Sequence, residues 1–220
     1  AERVIRPIQT HSDHIEIVDK RMEYPDTDGL ILTNKNEAIC LKFADCTPLI
    51  FYDTQNNIGA ISHAGWRGTA AKIGVKTVNK MVQDFDSSVE NIVVLIGPAI
   101  SVCCYDVGDE VKNKLLSTVH NKDGLHINNK VDLKKINARQ LEEIGINKID
   151  IVLNSKTDVT SDDDENLIDK SNSSDDDYNI EIDKKKIQLK EAIKVAGTSR
   201  VDIKLFEGVT GTVLVMVVPE

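Results

Sequence analysis

Short apolar runs separated by turn residues dominate the first part of the chain. "LILT" and "AICLKF", within residues 30–43, are rich in strand-favouring side chains; "ADCTP" breaks the pattern and "LIFYD" resumes it to Asp53. "NNIG" at 56–59 reads as a turn, and "AIS" as a strand leading into His63. From Thr69 the period changes. Ile73, Val78 and Met81 follow helical spacing, which predicts a helix over 69–83. "NIVVLIGPAI" is a buried strand closed by Gly97 and Pro98, and a helix with apolar Val111, Leu115 and Val119 is predicted from Gly108 to His120. Leu133, Ile136, Leu141 and Ile144 predict a helix over 131–145 with Gly145 as its stop, followed by a strand in "INKIDIVL". Further on, "KKIQLKEAIKVAG" reads as a short helix. "RVDIKLF" and "TVLVMVV" read as a hairpin turning near Gly208 and Gly211. No internal repeat is visible.

Composition divides the chain. From Asp158 to Asp177 there are nine acidic residues and one Lys, with Ser and Asn between them. Such a stretch is solvated and mobile by composition, because its few apolar residues cannot form a core. No Gly follows the acids at the spacing an EF-hand requires, which argues against a calcium loop. The expected organisation is therefore a core at 1–157, an acidic flexible segment at 158–185, and a helix plus hairpin of unassigned role at 186–220.

The 220 residues are 40% hydrophobic, enough for one good core, and carry a net charge of −9. That balance argues against a general nucleic-acid or anionic-membrane surface. No apolar run approaches the roughly 20 residues of a membrane span, and the first residues lack the apolar centre of a signal peptide. Cys40, Cys46, Cys103 and Cys104 form neither a disulfide framework nor a CxxC pair. A reducing, cytoplasmic setting is expected, with thiols available as ligands or nucleophiles.

The donors for a borderline metal such as zinc are His11, His14, His63, His120, His126 and the four Cys. His63 opens "HAGWRG" at a strand-to-helix junction, Cys103 follows "IGPAISV", and His120 ends a predicted helix. If the strands before His63 and Cys103 are neighbours, their ends converge. The same residues also fit as structural histidines and a buried Cys pair. In "HAGWRG" the backbone N–H groups and the Arg67 guanidinium suit an anion, and Trp66 suits a planar base. Trp66 as a core cap and Arg67 as a surface ion-pair partner fit equally.

"ADCTPLIFYD" (44–53), "HAGWRGT" (63–69), "IGPAI" (96–100), "CCYDVGDEV" (103–111) and "VDLKKINARQLEEIGI" (131–146) occur in that order. Together they resemble the YfiH/YlmD family, known under the label multicopper polyphenol oxidoreductase (laccase) and regarded as purine nucleoside phosphorylases with adenosine deaminase activity. The resemblance covers about residues 7–153, and "IQTHSDHI" at 8–15 is similar to the family's "QVHG" segment, with Ser12 at the usual Gly. It implies an α+β fold of layered mixed sheets flanked by helices. It also implies a catalytic Zn2+ held by His63, Cys103 and His120, with Cys104 the rival to Cys103, and a purine nucleoside and phosphate as substrates. The family's usual N-terminal segment and its C-terminal "SYRR" segment have no counterpart in the sequence. Lys156 and Thr157 stand where the family has Cys–Thr.

In this reading Arg67 and the Gly65–Thr69 backbone hold an anion. Asp45 is a proton carrier or orients a His ligand; a turn-forming role before Pro48 fits it as well. Three alternatives differ in class. A metal-free hydrolase would use Cys103 or Cys46 as nucleophile and His63 as base. A binding or assembly module, including a homo-oligomer, would keep the core without turnover. A multicopper oxidase is disfavoured by the presence of only five His.

Overall fold

The sharp turn at 54–57 builds the centre of the molecule. The Asp53 carboxylate accepts hydrogen bonds from the backbone N–H of Gln55 and Asn56, and Asn57 takes a left-handed φ of 58°. This Asx-type chemistry reverses the chain. It pairs β5 (Thr47–Asp53) antiparallel with β6 (Ile58–Ala64) over seven residue pairs, from Asp53↔Ile58 to Thr47↔Ala64.

The structure is a computed structural model that describes residues 1–152 in full and, beyond them, the backbone of 187–188, 197–206 and 209–217. The chain divides into two compact units, Ala1–Tyr178 and Asn179–Glu220. In the first, β1 (Arg3–Ile5) and β4 (Glu37–Ile39) form a small parallel pair. β2 (Ile15–Ile17), β3 (Gly29–Leu32), β7 (Ile92–Ile96) and β10 (Ile149–Ile151) join the central hairpin in a mixed sheet of order β10-β7-β5-β6-β3-β2. Helices α1 (Trp66–Ala70), α2 (Ile73–Phe85), α3 (Asp109–Leu116) and α4 (Leu133–Glu142) accompany it, with a minor hairpin of β8 (His126–Ile127) and β9 (Lys130–Val131). The fold is α+β, with a mixed sheet and flanking helices, as expected.

The main core lies where Leu49, Phe51 and Ile96 of the sheet meet Ile73, Val78 and Met81 of α2 and Leu141 of α4. A second cluster joins Leu115 of α3, Val131, and Leu133 and Ile136 of α4, with Trp66 and Tyr105 packed against it. The helix expected over 69–83 is two helices, broken at Lys72, which has a left-handed φ of 59°. Gly74 fixes the approach of α2 to the sheet: a Cβ there would lie 2.9 Å from Leu49.

In the second unit β11 (Ile187–Gln188), β12 (Gly197–Phe206) and β13 (Val209–Val217) form an antiparallel sheet. Ile187 and Gln188, expected to begin a helix, are extended because they pair with Ile203 and Asp202. Gly211, expected in the turn, lies within β13 opposite Ile203. The acidic segment at 158–185 lies outside the described residues.

Candidate metal centre

His63 is the penultimate residue of β6 and is buried among three segments. Extending the β5–β6 register one step beyond Thr47↔Ala64 sets Cys46 opposite Gly65. On the other edge of β6, β3 pairs through Gly29↔Ser62, which brings Asp28 beside His63; the His63 N–H donates to the Asp28 carbonyl over 2.7 Å. Asp28 in turn gathers the loop before β2. Its carboxylate accepts from the backbone N–H of Thr10, His11 and Ser12 and from the Ser12 hydroxyl. That loop presents His11, which adopts a left-handed φ of 63°.

His11, Cys46 and His63 therefore converge, with one ligand-capable atom from each lying within 4.8 Å of the others. The rings of His11 and His63 meet edge to face at 4.8 Å. Gly65 is required here. A Cβ at this position would come within 2.9 Å of the Cys46 sulfur and 3.2 Å of the His11 ring. Two imidazoles and one thiol suit a three-ligand zinc site; bonds of about 2.0–2.3 Å in tetrahedral geometry would set the donor atoms about 3.3–3.8 Å apart, so binding would draw the three together. The donor set suits a borderline metal ion.

The electrostatics prepare His63 as a neutral ligand and leave Cys46 protonated until an ion binds. Asp28 is fully buried and accepts from His63 Nδ1 at 2.7 Å. A carboxylate held by three backbone N–H groups can only accept, so the proton sits on Nδ1 and Nε2 keeps its lone pair for an ion. Burial pushes the Asp28 carboxyl up, but the hydrogen bonds from His63, Thr10 and Ser12 outweigh it and hold the group below the usual range. Burial lowers the His63 pKa, opposed in part by Asp28, and keeps the ring neutral. Burial raises the Cys46 thiol pKa, and the negative charges of Asp45 and Asp28 raise it further.

Among the described residues, Cys103 and His120, expected as ligands with His63, are not brought into this group. The reason is sheet order. β5 lies between β6 and β7, so the end of β6 faces the start of β5, and the loop after β7 is one strand further away. Cys103 and Cys104 are exposed on that loop, and His120, with a side chain 95% exposed, pairs with Glu143. Asp45 is exposed and its carbonyl accepts from the Ile100 N–H, whereas the carboxylate hydrogen-bonded to His63 is that of Asp28. Arg67 is exposed and stacks over Trp66 at 4.5 Å, with Lys114 on the same ring at 5.8 Å. α1, with five residues, is too short to act as an anion-binding helix terminus. Beside His11 these side chains line an open cavity of about 280 Å³, with Ser12, Asp13, Ala70 and Ala71.

Residues 1–166 match the family of multi-copper polyphenol oxidoreductase laccases. The chain belongs to this family. It is 36% identical over 142 residues to a purine nucleoside phosphorylase of Clostridium acetobutylicum, covering 64% of this chain and 60% of that protein. It is 30% identical over 165 residues to an adenosine deaminase from an unknown prokaryotic organism, covering 68% of this chain and 63% of that protein. The chain thus spans about three fifths of these relatives. The crystal structure of YlmD from Geobacillus stearothermophilus superposes with a TM-score of 0.64 at 31% identity, over 68% of this chain and 62% of that one. The family match lies within the first unit. Residues 171–219 are instead similar to the C-terminal domain of ribosomal protein L9.

Proposed function

We propose that the first unit is a zinc-dependent enzyme of purine nucleosides, cleaving them with phosphate and deaminating adenosine. The convergence of His11, Cys46 and His63 beside a cationic cavity carries this reading. The names of the purine nucleoside phosphorylase and adenosine deaminase relatives supply the substrate class.

In this reading His11 Nε2 or Nδ1, Cys46 Sγ and His63 Nε2 hold the ion. When bound, zinc supplies Lewis acidity and lowers the pKa of a bound water. Asp28 locks the His63 ring through Nδ1–H and fixes the His11 loop, so two of the three ligands depend on one carboxylate. Arg67 and Lys114 form a positive wall for phosphate, with the half-buried Trp66 ring beneath them as an apolar part of the cavity lining. Asp45, exposed on the turn that carries Cys46, is the proposed proton carrier. A free thiol is kept reduced most readily in the cytoplasm, the setting this reading favours.

Elemental analysis together with inosine and adenosine turnover, with and without phosphate, tests the proposal. One zinc per chain is expected, lost in His11→Ala and Cys46→Ala and retained in Cys103→Ala and His120→Ala. Arg67→Ala should keep the zinc and lose about 10–100-fold in phosphate-dependent cleavage, the effect of one charge-assisted contact of about 1.5–3 kcal/mol. Two His and one Cys are also a copper-type donor set. Stoichiometric copper with polyphenol oxidation and no nucleoside turnover would replace the reading.

A further inference from the structure

We propose that Cys103 and Cys104 form a dithiol site for soft thiophilic species, trivalent arsenicals in particular, separate from the His11–Cys46–His63 centre. Their sulfur atoms lie 2.8 Å apart on the exposed turn after β7. Two sulfurs bonded to one centre at about 2.3 Å lie up to about 3.8 Å apart at a tetrahedral angle, a spacing reached by a small side-chain rotation on the exposed turn. Adjacent residues have Cα atoms about 3.8 Å apart, below the roughly 4.4 Å lower bound of ordinary disulfides. Internal oxidation is therefore strained, and the pair is better suited to chelation.

The turn is organised in advance. The Cys104 and Tyr105 N–H groups both donate to the Ser101 carbonyl, at 3.0 and 3.1 Å. The buried Lys134 amine donates to the Ser101 hydroxyl from α4. On the far side the Tyr105 carbonyl accepts from the Val131 N–H, and Tyr105 packs against the second core cluster. With the turn fixed at both ends, binding requires little further ordering of the backbone.

An organoarsenic oxide provides a balanced test of this chemistry. Each sulfur forms one S–As bond, the As–O bond breaks, and the oxygen leaves as one water carrying both thiol protons. No electron transfer is involved. Thiolate softness selects such centres over hard cations, which bind oxygen.

The full chain is treated with phenylarsine oxide and examined by intact-mass spectrometry in the presence of excess monothiol or dithiol. One arsenical per chain is expected, resistant to monothiol and released by dithiol. Cys103→Ser and Cys104→Ser should each weaken retention against monothiol by roughly 100-fold or more, because the second bond is intramolecular only in the intact pair. Cys40→Ser and Cys46→Ser should retain the adduct. Retention in the Cys103→Ser/Cys104→Ser double variant overturns the proposal, as does a wild-type adduct that monothiol removes as readily as from either single variant. Both cysteines are exposed, and an unchanged melting temperature confirms that the variants are folded.

Discussion

Asp28 combines roles that the sequence scatters over 50 residues. It bonds His63, fixes the loop bearing His11, and sits close enough to Cys46 to raise its thiol pKa. Asp28→Asn should lower metal affinity by about 10–100-fold, as for other residues that orient a metal-binding His. Competition titration against a chelator measures this, and affinity within threefold of the wild type would remove Asp28 from the role. Cys46 makes uptake pH-dependent. Its pKa is raised, so at neutral pH the thiol is protonated and an ion must displace the proton. His63 has a lowered pKa and imposes no such competition near neutrality. Affinity should therefore rise with pH from about 6 through 8 and level off only above the raised thiol pKa, with proton release detectable in weakly buffered solution.

At the scale of elements, the β5–β6 hairpin and the two glycines after it set the site. Gly65 leaves room for the ligands and Gly74 lets α2 seat on β5. These demands differ, so their substitutions should separate. Gly65→Ala drives a methyl group toward Cys46 and His11 and should abolish stoichiometric metal with little loss of secondary structure. Gly74→Ala meets Leu49 and Leu141 instead and should destabilise the unit by about 1–3 kcal/mol, the range for overpacking, while sparing the ligands. Metal content and denaturant unfolding measured on both variants test the separation. Equal metal loss in the two would mean that the site simply follows global stability.

For the molecule as a whole, the acid limb of stability belongs to buried carboxylates. Burial raises the Asp53 carboxyl, but hydrogen bonds from Gln55 and Asn56 hold it below its ordinary value, as the site's hydrogen bonds do for Asp28. A depressed folded pKa means that the stabilisation is full above the unfolded value, about 3.9, and is lost as the pH falls through the folded one. Unfolding free energy should therefore fall below about pH 5. Asp53→Asn should lower it at neutral pH and flatten the acid slope; an unchanged slope would move the effect elsewhere. Saturating metal should add about 2.7 kcal/mol at 100 times its Kd, seen as a higher melting temperature of the first unit.

The sequence by itself determined the local elements, because strand, turn and helix signals depend on neighbours a few residues apart. It marked the turn at 56–59, the strands on either side, the helix bearing Val78 and Met81, and the family. It also marked His63, Arg67 and the glycines of "HAGWRG" as a junction with chemical potential. Which donors meet His63 was decided by sheet order. The condition for Cys103 to meet His63, that the strands before them be neighbours, is not met, because β5 lies between them, antiparallel to both. One signal for Cys46 was present in the chain: continuing the hairpin register past Thr47↔Ala64 sets Cys46 against Gly65. No such local register reaches His11 or Asp28. Their approach depends on β3 pairing with β6 and on a loop wrapped around one buried carboxylate. Those contacts join residues far apart in the chain, and tertiary packing alone selects among the pairings that local patterns allow.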